Sequence, residues 1–138
     1  MSEQSHAEFA SAVLTEAMRR SEQIGRSDIG VYVYPADGWQ RAFRRAFRIR
    51  SFRPVETGET LLASLSDWLG TEPAEQAAKA LSERFGAPVA VLRTENEPAL
   101  LRALSSSERG FGAFYTTEDA FFAAFDDCVL AFIMGNFD

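Results

Sequence analysis

The chain has 138 residues, a formal net charge of −6, 46% hydrophobic residues and one cysteine. This length and hydrophobic content predict a single globular domain, which we expect to span residues 7–138 after a disordered polar tail at residues 1–6. A lone cysteine excludes an internal disulfide, and no apolar stretch approaches the roughly 20 residues that span a membrane. No secretory signal is recognised either, so we expect a cytoplasmic protein without a membrane partner.

The first half of the chain predicts a helix, a strand and a second helix. Apolar residues at steps of three and four indicate a helix over 7–24, and the run 29–34 is typical of a β-strand. Next, Trp39, Phe43 and Phe47 share one face of a short amphipathic helix. From Phe47 to Arg53 apolar and basic residues alternate, which predicts a further strand with its arginines toward solvent.

The second half predicts helices over 61–69 and 73–85, a buried strand over 89–92, and a helix that Asn96 caps. Short aromatic segments then predict three strands, at 111–116, 120–125 and 129–134, with Asp126-Asp127 as a tight turn. The expected fold is therefore a single-domain α+β fold. It has a mixed sheet of about five or six strands, helices mainly on one face and an antiparallel C-terminal meander.

A cluster of arginines is the clearest functional signal. The window 38–55 contains no Asp or Glu and carries +6, while the rest of the chain carries −12, which together give the net charge of −6. Such a basic patch on an acidic body can attract a polyanion, a phosphate or an acidic protein face. Alternatively, the protein's own carboxylates neutralise it. We call the six basic residues the arginine strip: Arg41, Arg44, Arg45, Arg48, Arg50 and Arg53. The predicted partner-binding residues are Arg41, Arg44, Arg45, Arg48, Arg50 and Trp39.

Residues suited to catalysis are scarce. His6 is the only histidine and lies in the expected tail, so the sequence offers no histidine-based triad or metal site. Cys128 has acidic neighbours, which raise the pKa of a thiol and argue for a small buried side chain. The adjacent acidic residues at 118–119 and 126–127 would point to opposite sides of a strand, which suits neither acid–base nor metal chemistry. We therefore predict no catalytic residue, no metal and no cofactor.

One segment resembles a nucleic-acid-binding family. Residues 109–115, Arg-Gly-Phe-Gly-Ala-Phe-Tyr, are similar to the RNP1 segment of the RNA-recognition-motif family, and residues 31–33 to the start of its RNP2 strand. The resemblance implies that Tyr32 and Phe111 stack on bases, and that a helix follows RNP1 near residues 117–120. However, Ala113 replaces a stacking aromatic residue, and the two segments begin 78 residues apart. Residues 126–130 also lack the basic residues of a final strand, and a strand over 117–125 would rule the resemblance out.

The aromatic C-terminal region raises the question of what covers it. Phe121 and Phe122 are adjacent, so a strand sends their rings to opposite faces of the sheet. One face belongs to the core, and the other is covered either by the chain's own helices or by a second subunit. We expect the chain's own helices, with a homodimer as the alternative.

These observations favour a small non-enzymatic protein-binding module. Its acidic body, single basic strip and small size would suit an immunity- or antitoxin-like protein that covers a site on a partner, an analogy that rests on charge and size alone. One alternative is a single-stranded nucleic-acid-binding domain that uses the strip from Arg41 to Arg53. Another is a small enzyme or metabolite binder with a pocket formed by Arg48, Arg50 and Tyr34.

Overall fold

A computed structural model of the chain describes residues 3–106 and 115–137. This part of the chain contains five helices and five strands. The helices are α1 (Glu3–Arg20), α2 (Trp39–Phe47), α3 (Leu61–Leu69), α4 (Thr71–Phe85) and α5 (Glu97–Ser106). The strands are β1 (Ser27–Pro35), β2 (Pro54–Glu56), β3 (Ala90–Thr94), β4 (Tyr115–Ala124) and β5 (Cys128–Phe137).

The strands form one sheet in the order β1-β5-β4-β3-β2. Strands β2 to β5 are neighbours in chain order, and β1 pairs with the free edge of β5. This arrangement confirms the α+β fold and the C-terminal meander. The expected mixed sheet is antiparallel in all of its described pairings. The β4–β5 hairpin closes at Asp126-Asp127, where the Phe125 N–H donates to the Cys128 carbonyl at 2.8 Å.

Helices cover both faces of this sheet. One face packs on α1, α3 and α4 and carries Phe121 and Phe132, whose rings stack with centroids 4.7 Å apart. The opposite face packs on α2 and α5 and carries Phe122, in contact with Trp39 and Phe43. Phe121 and Phe122 are both fully buried. Three helices thus cover one face and two cover the other, so the chain's own helices cover the aromatic strands.

Three predicted segments differ from the structure. Residues 48–53 form no strand, because α2 ends in a turn that redirects the chain and only 54–56 pair with β3. The segments 115–116 and 120–124 belong to one strand, because a bulge at Thr117–Asp119 carries it through its polar stretch. Residues 111–114 lie outside the described part. Residues 3–6, expected in a disordered tail, belong to α1, where the His6 ring lies 5.1 Å from the Phe85 ring.

Candidate binding groove at the arginine strip

Helix α2 places the first arginines of the strip on the surface. Trp39, Phe43 and Phe47 recur at four-residue steps and are 8%, 0% and 2% exposed, because they pack on the sheet. The opposite face of the helix therefore points outward. Trp39, one of the predicted partner-binding residues, is a core residue, and we leave it out of the candidate site.

The arginines of the strip are exposed except for Arg44, which is half-buried. Arg53 makes one long ion pair with Glu95, with the nitrogen and oxygen 3.6 Å apart and both side chains mostly in solvent. The other five make no ion pair or side-chain hydrogen bond with any residue of 3–106 or 115–137: Arg41, Arg44, Arg45, Arg48 and Arg50. No carboxylate of these two ranges neutralises these five arginines.

Arginines elsewhere in the chain have close partners. Arg19 and Arg20 both bind Glu16, at 2.7 and 2.9 Å. Arg93 lies among three carboxylates, of Asp119, Glu59 and Glu97, at 2.8, 3.2 and 3.2 Å. Burial alone would lower the pKa of Arg93, but the hydrogen bonds and charges of these carboxylates raise it above its usual range. Arg26, which is exposed, is the exception outside the strip, since it makes no ion pair within the described residues. What distinguishes the strip is that five such arginines lie on one surface.

The end of α2 sets the direction of the strip. Arg48 has φ 56° and ψ 44°, the left-handed conformation, and its N–H donates to the Arg45 carbonyl. The next N–H, of Ile49, reaches back to the Arg44 carbonyl at 2.9 Å. These two bonds form a Schellman motif with an arginine in the position that glycine usually occupies. The motif turns the chain so that Ile49 points inward and is 8% exposed, while Arg48 and Arg50 remain in solvent.

A groove of about 670 Å³ lies between this segment and α5. Four arginines of the strip border it, namely Arg44, Arg48, Arg50 and Arg53. The other side is the beginning of α5, where the Asn96 side chain caps the helix by accepting the Ala99 N–H at 3.3 Å. The N-terminal end of a helix carries a partial positive charge, which adds to that of the arginines. The arrangement favours an anionic ligand.

A second depression of about 310 Å³ continues the groove along α2. It is lined by Arg41 and Arg45 and shares Arg44, Ile49 and Arg50 with the larger groove. All six arginines of the strip thus border one continuous surface.

Tyr34 does not join Arg48 and Arg50 in the groove, and it lines a separate pocket with Arg84. Tyr34 packs edge-on against Phe43 at 6.1 Å, and Tyr32 against Phe47 at 5.1 Å, and neither lines the groove. Burial raises the pKa of both hydroxyls above their usual value. Arg48 and Arg50 therefore lack the tyrosine partner that the metabolite-binding alternative requires.

The residues considered for catalysis fall in two places: His6, Asp127 and Cys128 line a pocket of about 380 Å³, and Glu118 and Asp119 lie at the bulge of β4. Burial raises the pKa of the Cys128 thiol to about 11, and the neighbouring Asp127 carboxylate adds to the rise. The Asp119 carboxylate accepts a hydrogen bond from Trp68 Nε1 at 2.8 Å and pairs with Arg93, while Glu118 is exposed. Over residues 3–106 and 115–137, no group of three or more His, Cys, Asp or Glu side chains is placed so that it could hold a metal ion. No helix in these ranges is long and apolar enough to cross a membrane.

The RNA-recognition-motif resemblance fails on the structure of the segment after it. Residues 115–124 form β4, where the family places a helix. Tyr32, one of the two stacking candidates, is half-buried against Phe47. Phe111 and the rest of 109–114 lie outside the described residues.

Comparison with protein-family models, with curated proteins and with solved structures gave no match to this chain. The fold and the site therefore define the class of protein on their own: an α+β domain with an unpaired arginine strip bordering an open groove.

Sequence analysis located the arginine strip but missed its opposite border. Ala99 and Ala103 belong to α5, which Asn96 caps and which lies about 50 residues further along the chain. The cap at Asn96 was recognisable from its position before an apolar periodic segment. Nothing local indicated that this cap lies beside the arginines, because the sheet brings the two helices together.

Proposed function

We propose that this protein is a non-enzymatic protein-binding module whose arginine strip docks an acidic segment of a partner protein. One observation carries the proposal: five arginines on a continuous surface make no ion pair within the described residues, whereas Arg19, Arg20 and Arg93 pair closely with carboxylates. An arginine offers a planar fork of donors that matches a carboxylate in a bidentate fashion. A row of such forks suits several carboxylates on one segment.

The structure favours an acidic protein over single-stranded nucleic acid. Sequence-tolerant binding of single strands relies on exposed aromatic rings that stack on the bases. Three of the rings beside the strip are used in the core, since Phe43 and Phe47 are fully buried and Trp39 is 8% exposed, and the fourth, Phe52, is partly buried. The net charge of −6 also repels a long polyanion, whereas a short acidic segment meets mainly the local field of the strip.

The acidic remainder of the chain has a second role under this proposal. Its charge of −12 outside the strip would face basic parts of the same partner, so that the two signs together fix the orientation of docking. The immunity- or antitoxin-like comparison extends this proposal and rests on charge and size alone. A cytoplasmic location belongs to the same proposal.

The test is affinity capture from a cytosolic lysate at low ionic strength, with both protein and nucleic acid analysed in the eluate. The bait is the wild-type chain or the double variant R44E/R48E. The matched control is R26E/K79E, which changes the net charge by the same amount at two exposed residues outside the strip. We expect a discrete protein partner that wild type and R26E/K79E retain and R44E/R48E loses.

Two other outcomes would reject the proposal. A partner that both double variants lose equally would indicate a dependence on total charge rather than on the strip. Nucleic acid that is enriched by the wild type, and released by salt with a slope of about 0.7 per phosphate contact on logarithmic axes, would indicate the nucleic-acid alternative.

A further inference from the structure

The floor of the groove differs chemically from its border. Ile49 and Leu100 line it and are 8% and 4% exposed, and the partly buried ring of Phe52 lies beside them. Ala99 and Ala103 of α5 complete this apolar surface, and their small side chains leave the space above it open. A ligand that carried only charge would leave this surface without a partner.

The size of the groove argues in the same direction. At about 670 Å³ it lies within the 300–1,000 Å³ typical of sites that hold drug-sized ligands. A lone inorganic anion would fill a small part of it. The groove therefore suits a ligand with an apolar body and anionic groups on either side.

We propose that the groove binds an acidic peptide segment that inserts one apolar side chain against Ile49 and Leu100. This inference rests on the proposed function and specifies the partner's chemistry. Carboxylates on one side of the apolar residue would meet Arg48 and Arg53. Those on the other side would meet Arg44 and Arg50, which border both depressions.

Among the described residues one carboxylate lines the groove, and it does not oppose this arrangement. Glu95 is paired with Arg53, and its side chain is 61% exposed, so it can turn away into solvent. Its long contact of 3.6 Å is a weak surface pair that a better-placed carboxylate can replace.

The experiment uses two fluorescein-labelled peptides of equal charge, EEEELEEEE and EEEESEEEE, and fluorescence anisotropy at low ionic strength. We expect the leucine peptide to bind the wild-type chain about tenfold more tightly, because only leucine gains from contact with the apolar floor. A thymidine oligonucleotide of matched length serves as the third probe.

Two variants fill the groove without changing its charge. A103W and A99F place a large ring over the apolar floor from successive turns of α5, and circular dichroism checks that each folds. We expect both to bind the leucine peptide as weakly as the serine peptide, with binding of the serine peptide unchanged. R44E/R48E should weaken binding of both peptides, and R26E/K79E should weaken them far less.

The outcomes separate this inference from the proposed function. The inference of an apolar anchor would be overturned if the wild-type chain bound the two peptides equally. It would also be overturned if A103W and A99F, both folded, bound the leucine peptide as tightly as the wild type does. If R44E/R48E still abolished binding of both peptides, the proposed function would stand without it. An oligonucleotide that bound more tightly than either peptide would overturn both.

Discussion

Arg48 occupies a backbone conformation that glycine adopts more easily than any other residue. Its φ of 56° is the one positive φ of a non-glycine residue in the described ranges. A left-handed conformation costs an L-residue with a side chain roughly 1–2 kcal/mol. Glycine avoids this cost, but it loses more conformational entropy on folding, which offsets part of the gain. The sequence thus keeps an arginine where glycine would be more stable, which is expected of a residue selected for binding.

Replacing Arg48 with glycine should therefore stabilise the protein and weaken partner binding. We expect the free energy of unfolding to rise by about 0.5–1 kcal/mol, measured by urea denaturation. Arg50→Gly removes the same charge at a residue with ordinary φ, and we expect it to bring no gain in stability. An R48G variant no more stable than the wild type would contradict the account of strain.

Cys128 should be unreactive in the folded protein. Burial, and then the Asp127 carboxylate, raises the pKa of its thiol from about 9 to about 11, which lowers the thiolate fraction near neutral pH by about 100-fold. Alkylation by iodoacetamide should be slower than in the urea-unfolded chain by about this factor, as measured by mass spectrometry. Equal rates in the two states would contradict the burial of the thiol.

The same shift predicts a loss of stability in alkali. An unfolded thiol ionises near pH 9 while the folded one stays protonated to about pH 11, so the stability is complete below pH 9 and falls as the pH rises through this window. Urea titrations at neutral pH and at pH 10 measure this loss of stability. Cys128→Ala should lose less stability over this interval than the wild type, and an equal loss would assign the effect to other groups.

At the scale of elements, one hydrogen-bonded carboxylate joins three parts of the fold. Asp119, at the bulge of β4, accepts from Trp68 of α3 at 2.8 Å and from Arg93 of β3 at 2.8 Å. The side chains of Asp119 and Arg93 are 27% and 19% exposed, so breaking this pair should destabilise the fold more than breaking a surface pair. Asp119 lies two residues before Phe121 and so faces the same side of the sheet, on which α3 packs.

Asp119→Ala should destabilise the fold, because it leaves the Trp68 N–H and the Arg93 guanidinium with fewer partners. We expect the free energy of unfolding to fall by about 2 kcal/mol in urea titrations. Glu95→Ala, which breaks the exposed pair with Arg53, should change it by about 0.5 kcal/mol or less. Equal effects of the two substitutions would show that the Asp119 contacts contribute no more than a surface pair.

The elements also show why sequence prediction succeeds in some places and fails in others. Helix α2 and the face that it buries were predicted because a local period of 3.6 residues determines that face. The segment after it alternates like a strand, but Ile49 is buried by the turn at Arg48 and not by strand pairing. A positive φ at an arginine has no signature in the sequence.

Long-range packing accounts for the rest. The polar residues 116–119 suggested a break between two strands, whereas the bulge lets one strand continue through them. The groove was unpredictable for a related reason: α2 and α5 meet because both pack on the same face of the sheet. The sequence alone identified the arginines as a basic patch and left open whether the protein's own carboxylates pair with them.

At the scale of the whole molecule, the two faces of the sheet separate two electrostatic environments. The arginine strip lies on the side of α2 and α5, while α4, which carries Glu75 and Glu83, packs on the opposite face. The negative remainder repels an acidic ligand at long range, and the strip attracts it at short range. Salt screens the long-range repulsion more completely than the short-range attraction, because the Debye length is about 10 Å at 0.1 M ionic strength.

Neutralising the far face should therefore speed association without altering the bound complex. For the variant E75Q/E83Q we expect the association rate of the EEEELEEEE peptide to rise about twofold at low ionic strength, and the rise to vanish near physiological salt. The dissociation rate should stay unchanged, since α4 lies across the sheet from the groove. Stopped-flow anisotropy measures both rates. A changed dissociation rate would mean that α4 contacts the peptide, and a rise that persisted at physiological salt would rule out long-range repulsion as its cause.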